Sequence, residues 1–201
     1  MASDLWQTLV APGSCLTVFT SIEETSASSQ GIYVRWIWHD KPGFDPAARR
    51  MIRGFEIEEA FETCSDLGEH MFGQVALGIL MHPDDFAYLK QREYFVSGGS
   101  LAIPFWLGLL GYHRAKGWPV GCVAWGAIRP IRNNSFTVSP VANVESKVAF
   151  ARSIGASSIL HPRAENLDNL GSAANHRLSE SIEKATEELC EILVGGSNRV
   201  Y

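Results

Sequence analysis

A serine hydroxyl acts as a nucleophile where a base can take its proton and N–H groups can hold the oxyanion that forms. The stretch SGGSLAIPFWLGLLG, Ser97 to Gly111, has the make-up of such a place: Gly98 and Gly99 lead into Ser100, and from Leu101 the chain turns almost wholly apolar. Glycines there let backbone approach a substrate carbonyl, and the free N–H groups of a helix start, around Leu101, supply oxyanion donors. The plainer use of such a serine is as a helix cap or turn residue. Histidines offer one kind of base: His113, His82 or His161 with Asp84 or Asp85 would complete a Ser-His-Asp set. Their spacing does not require it, since His113 lies thirteen positions beyond Ser100 on the same helix, and His82 and His161 each precede a proline that ends an element.

The elements that must position Ser100 follow from periodicity. SCLTVFTSIEE and GIYVRWIWHD are rich in β-branched and aromatic residues and flank the turn-like TSASSQG, so they predict an antiparallel strand pair. KPGFDPAARR reads as a loop leading into a short helix, and MIRGFEIEEAF fits either a strand or a helix. In SDLGEHMFGQVALGILMH, Leu67, Met71, Val75 and Ile79 recur every four positions, which predicts a helix capped by Ser65 or Asp66 and ended by HPDDF. HPDD itself reads as a solvated turn. SLAIPFWLGLLGYHRAKG is apolar on too many sides for a surface helix and predicts a central buried one, with Pro104 tolerated in the first turn. PVGCVAWGAI and SFTVSPV predict two strands joined by RPIRNN, VESKVAFARSIGA a helix, SSILHP a short strand and LSESIEKATEELCEIL a closing helix with a stripe of Leu178, Ile182, Leu189 and Leu193. GGSNRVY reads as a loose tail. Strands and helices interleave without βαβ regularity, so the fold class expected is α+β.

Composition narrows the function. The 201 residues are 46% hydrophobic and 19% charged, enough apolar material for one packed domain. A formal charge of -5 and only short arginine clusters such as AARRMIR exclude a phosphate-binding surface, so no nucleic-acid partner is expected. Cys15, Cys64, Cys122 and Cys190 are far apart, without a zinc spacing, and read as reduced and mostly buried. The longest apolar run, Leu101 to Tyr112, is about half of a membrane span, and nothing resembles a signal peptide, so a cytoplasmic location without membrane contact is expected. No phosphate-loop, dinucleotide or zinc-protease motif occurs, so no cofactor or metal is expected and chemistry falls to side chains.

Three segments recur in a telling order: GGSLA around Ser100, AWGAI around Gly126, and PVANVESKVAFARSIGASSILHP. This order resembles the proteolytic domain of the Lon family of serine-lysine peptidases, in which a G-P-S-A-G loop is followed by M-T-G-E-I, P-I-G-G-x-K-E-K-x-x-A-A and A-G-I-K-x-V-x-I-P. LGEHMFGQVAL is similar to that family's L-G-D-x-M-x-E-S-x-x-x-A helix, so the resemblance covers roughly Ser65 to Leu167. It implies a Lon protease-like domain with mixed β-sheets flanked by helices. It also implies a dyad of Ser100 and Lys147, support from Gly98, Gly99 and Leu101, and Trp125, Gly126 and Asn143 around the dyad. A lysine serves as a base only when neutral, and the apolar company of Val144, Val148 and Ala149 would lower its pKa; the plainer reading is a lysine snorkelling to solvent. The chain departs from the family at Trp125, where a threonine that helps orient the lysine is usual, at Ala127 in place of glutamate, at Ala142 and Asn143 in place of two glycines, and at Gly99 in place of proline.

The resemblance implies a single Lon-like domain over 1–201: a β-rich part to about 64, a catalytic part over about 65–170 and a C-terminal helix over about 177–194. It implies an ATP-independent serine endopeptidase cutting flexible segments of a protein or peptide substrate, in a homo-oligomer, with a separate ATPase or regulatory partner delivering substrates. The other reading is a non-catalytic Lon-like assembly or interaction module.

Overall fold

The chain is α+β, with mixed sheets and flanking helices. The computed structural model describes residues 2–20, 31–73, 77–131, 135–163, 165, 167 and 173–195. A short helix α1 (Ala2–Gln7), not expected from the sequence, precedes β1 (Ser14–Thr20), which pairs antiparallel with β2 (Gly31–His39) from Ser14 opposite Ile37 to Thr20 opposite Gly31. Most of the expected turn between them lies outside the described residues. β2 continues antiparallel to β4 (Gly78–Met81), and β3 (Gly43–Phe44) adds a parallel edge.

The helix expected over residues 65–82 is corrected at both ends. α2 runs Glu56–Phe72 and stops at Gly73, whose left-handed conformation (φ 61°) turns its N–H back to Glu69 O at 2.9 Å. Ser65 and Asp66 therefore lie mid-helix and cap nothing, and Met71 is exposed. Ile79 belongs to β4 and is fully buried, while Val75 lies outside the described residues. A four-residue spacing is also two strand periods, so the pattern ran on across a break.

HPDDF begins α3 (Pro83–Gln91) rather than ending a helix: His82 Nδ1 accepts from Asp84 N–H at 3.3 Å, and Pro83 opens the first turn. Nor is HPDD a solvated turn, because Asp85 is buried and accepts from Arg35 Nη2 at 2.6 Å, Nε at 3.0 Å and the backbone N–H at 2.7 Å.

α4 (Ala102–His113) is buried from Ala102 to Gly111 and runs through the core. It lies close on β1, where a side chain at Gly108 would meet Cys15 Cβ at 2.8 Å, and Trp106 Nε1 donates to Thr186 Oγ1 at 2.9 Å. The expected strand in PVGCVAWGAI is two: β5 (Cys122–Ala124) and β6 (Ala127–Pro130), with Trp125 and Gly126 as the corner between. β6 pairs antiparallel with β7 (Phe136–Ser139); α5 spans Val144–Ser153; β8 (Ser158–Pro162) is the middle strand of a parallel sheet between β5 and β9 (Ala174–Leu178). The closing helix α6 is Ile182–Gly195, so Leu178 is a β9 residue that joins the same core. The expected tail beyond residue 195 lies outside the described residues. Cys15, Cys64 and Cys122 are buried, Cys190 is half-buried, and all four are free.

Candidate active site

Ser100 is the last residue before the cap of α4. Leu101 is the N-cap, buried, with no side-chain hydrogen bond, and Phe105 N–H closes the first turn on Leu101 O at 2.9 Å. The Ser100 hydroxyl therefore does not cap the helix, and it has no hydrogen-bond partner among the described residues. The backbone fixes Ser100 instead: its carbonyl accepts from Gly126 N–H at 3.1 Å, and Ile103 N–H donates to Gly126 O at 3.2 Å. Gly126 has to be glycine. Its φ is 147°, and a Cβ would stand 2.8 Å from Ile103 Cγ1 and 3.0 Å from Pro162 Cγ. Gly98 also has positive φ, 121°, and open space above it, while Gly99 faces the Glu56 side chain.

Lys147 is in the second turn of α5. The helix starts at Asn143, left-handed at φ 57°, whose carbonyl accepts from Lys147 N–H at 3.1 Å. The side chain is 7% exposed and bends back so that Nζ donates to Ala142 O at 2.9 Å. Burial holds the Lys147 amine below its ordinary pKa, and the negative charge of Glu165 partly opposes that. This lysine does not snorkel.

Ser97, Gly98, Gly99, Ser100, Ala142, Asn143 and Lys147 line one cleft of about 510 Å³. Among the described residues no hydrogen bond joins Ser100 to Lys147; the amine is occupied by Ala142 O. Two charged groups that the sequence did not single out share the cleft, Glu56 at the start of α2 and Arg129 on β6. Glu56 Oε2 is buried without a hydrogen-bond partner among the described residues, lodged where Gly54 leaves out a side chain. A second cleft of about 470 Å³, between α2 and the β6–β7 hairpin, is lined by Thr63, Asp66, Glu69 and His70 and contains neither Ser100 nor Lys147.

Trp125 is buried behind the Gly126 corner and donates from Nε1 to Glu165 Oε2 at 2.9 Å. The three histidines are dispersed. His113 ends α4 against the Phe72 ring at 4.4 Å, His82 caps α3, and His161 lies fully buried within β8, stacked on Trp125. None lines the Ser100 cleft, and Asp84 and Asp85 belong to α3 and the Arg35 pair. Among the described residues no group of three or more histidine, cysteine, aspartate or glutamate side chains could hold a metal ion. No described helix is long and apolar enough to cross a membrane.

No protein-family model matches the chain, and no curated protein matches it.

Proposed function

We propose that the chain is a cytoplasmic, ATP-independent serine endopeptidase of Lon-like type. The observation that carries this reading is the shared cleft: a serine with an unengaged hydroxyl at a glycine-lined helix start, and a buried lysine whose surroundings favour the neutral amine. The order of GGSLA, AWGAI and the Lys147 segment, which resembles the Lon proteolytic domain, supports it.

In this mechanism Ser100 Oγ attacks the substrate carbonyl carbon while neutral Lys147 takes the hydroxyl proton, and the N–H groups of Leu101 and Ala102 stabilise the oxyanion, that of Ile103 being bonded to Gly126 O. Collapse of the tetrahedral intermediate breaks the peptide C–N bond, Lys147 returns the proton to the leaving amine, and water then hydrolyses the Ser100 ester by the same proton path. For the first step the amine exchanges Ala142 O for the Ser100 hydroxyl, a movement within one cleft. The domain acts on flexible segments of a partner protein or on chains that a separate ATPase presents. Copies of the chain assemble with one another, and Phe55 (72% exposed), Tyr94 and Phe95, which flank cleft residues in sequence, supply apolar contact area.

The test is co-expression of wild type, Ser100→Ala and Lys147→Ala with candidate protein partners, cleavage being read by intact mass. Cleavage by wild type alone supports the peptidase. Partners that bind all three forms equally and are never cut overturn it in favour of the assembly module.

A further inference from the structure

Glu165 follows β8 closely and is 7% exposed. Its two oxygens accept from opposite sides of the candidate site: Oε2 from Trp125 Nε1 at 2.9 Å and Oε1 from Val141 N–H at 3.0 Å. Trp125 belongs to the corner whose Gly126 N–H binds Ser100 O. Val141 precedes Ala142, whose carbonyl holds Lys147 Nζ, and Asn143, which starts the lysine's helix. One buried carboxylate thus spans the serine wall and the lysine wall.

We propose that Glu165 is a positioning residue that sets the separation of Ser100 and Lys147 by clamping these two walls together; its functional meaning rests on the serine-lysine reading above. Both of its partners are N–H donors, so the job requires two acceptor atoms on one side chain. Glutamine provides one acceptor and turns an NH₂ toward the other donor. Aspartate is one methylene shorter and reaches at most one of the two. The Trp125 indole is one half of this clamp, which gives the tryptophan at that position a use. Among the described residues the charged groups around the pair are these. Glu165 acts on Lys147 electrostatically, Glu56 and Arg129 share the lysine's cleft, and His161 Nδ1 lies 3.6 Å from Glu165 Oε2, carrying charge only when protonated.

The test uses the full chain with Glu165→Gln, and Trp125→Phe as a second variant that removes only the indole donor. Three readouts apply: amide hydrogen exchange at Val141 and Gly126, NMR titration of the Lys147 amine, and cleavage of a substrate found by the co-expression assay. Expected in both variants is faster exchange at Val141 and a cleavage rate lower by on the order of 100-fold, the scale of an ångström of misplacement. In Glu165→Gln the Lys147 midpoint also moves to lower pH, because the charge that favours the ammonium is gone. That shift reports the lost charge, whereas Trp125→Phe keeps the carboxylate charge, so its faster exchange and lower rate report the clamp itself. Folded variants with unchanged Val141 exchange overturn the clamp, whatever the Lys147 midpoint does. If wild type cleaves nothing but Val141 exchange quickens in both variants, the clamp stands and the peptidase reading falls.

Discussion

Lys147 Nζ donates to the Ala142 carbonyl at 2.9 Å while sharing a cleft with Ser100. The lysine thus bonds a backbone acceptor just ahead of its own helix, largely shielded from water, where its charged form is disfavoured. A buried amine held below its ordinary value makes the folded chain bind fewer protons than the unfolded one, so wild-type stability rises with pH between the lowered folded pKa and the ordinary value. Lys147→Met removes that burden. At neutral pH its Tm should exceed wild type by about 2–4 °C for a gain of about 1 kcal/mol, and the gap should close as pH rises through the lysine's range. Thermal unfolding as a function of pH measures this. A destabilised Met variant at neutral pH would show that the Ala142 bond outweighs the cost of burial.

Gly126→Ala tests the corner that holds Ser100. The new Cβ meets Ile103 and Pro162 while the backbone is kept at φ 147°. Strain and overpacking together should cost about 2–4 kcal/mol, read as a lowered denaturation midpoint. The site should also loosen, because Gly126 provides both backbone bonds to the Ser100–Ile103 segment.

What was legible in the sequence was local. The β1–β2 pair, the buried α4 and the helix carrying Lys147 each announce themselves through one period or one unbroken apolar run. The strand at Gly78–Met81 was hidden because a four-residue apolar spacing fits a helix and a strand equally, and only tertiary pairing with β2 decides it. β9, with its mostly exposed ANHR start, has almost no apolar alternation to show and is defined by its parallel pairing with β8. At the site, Ser100 and Lys147 could be singled out by residue type and order. Glu165 could not, because its partners lie 40 and 24 residues away and a glutamate in a polar segment reads as solvated. Asp85 was misread in the same way, its partner Arg35 being 50 residues off.

That pair supports a prediction about stability alone. Asp85→Ala leaves the Arg35 guanidinium buried with Thr8 Oγ1 at 3.1 Å and exposed Asp84 at 3.9 Å as its remaining side-chain partners among the hydrogen bonds and ion pairs of the described residues. The loss should be about 3–5 kcal/mol, measured by denaturant unfolding. Replacing both residues by apolar ones of similar volume should recover most of it, because the charge left without a partner is what costs stability. If the single variant loses less than about 1 kcal/mol, the pair behaves as a surface one and its burial contributes nothing.

The proposed dyad makes the sharpest demand, since on that reading nucleophile and base act as one unit. Ser100→Ala and Lys147→Ala should each abolish cleavage of a substrate that wild type cuts, and the double variant should be no worse than either. Lys147→Arg should fail equally, because a guanidinium stays charged and cannot accept the hydroxyl proton. In wild type the rate should rise with pH through the lysine's pKa, since only the neutral amine is competent, and burial places that limb below where an exposed lysine would put it. Adding negative charge to the cleft should push the limb back up: Ala142→Asp, beside the amine's present acceptor, favours the ammonium and should move the half-maximal rate to higher pH. Steady-state rates across pH for these variants measure both effects. A limb that stays fixed in Ala142→Asp would assign the titration to a group other than Lys147, and persistence of cleavage in Lys147→Arg would remove the lysine from the role of base.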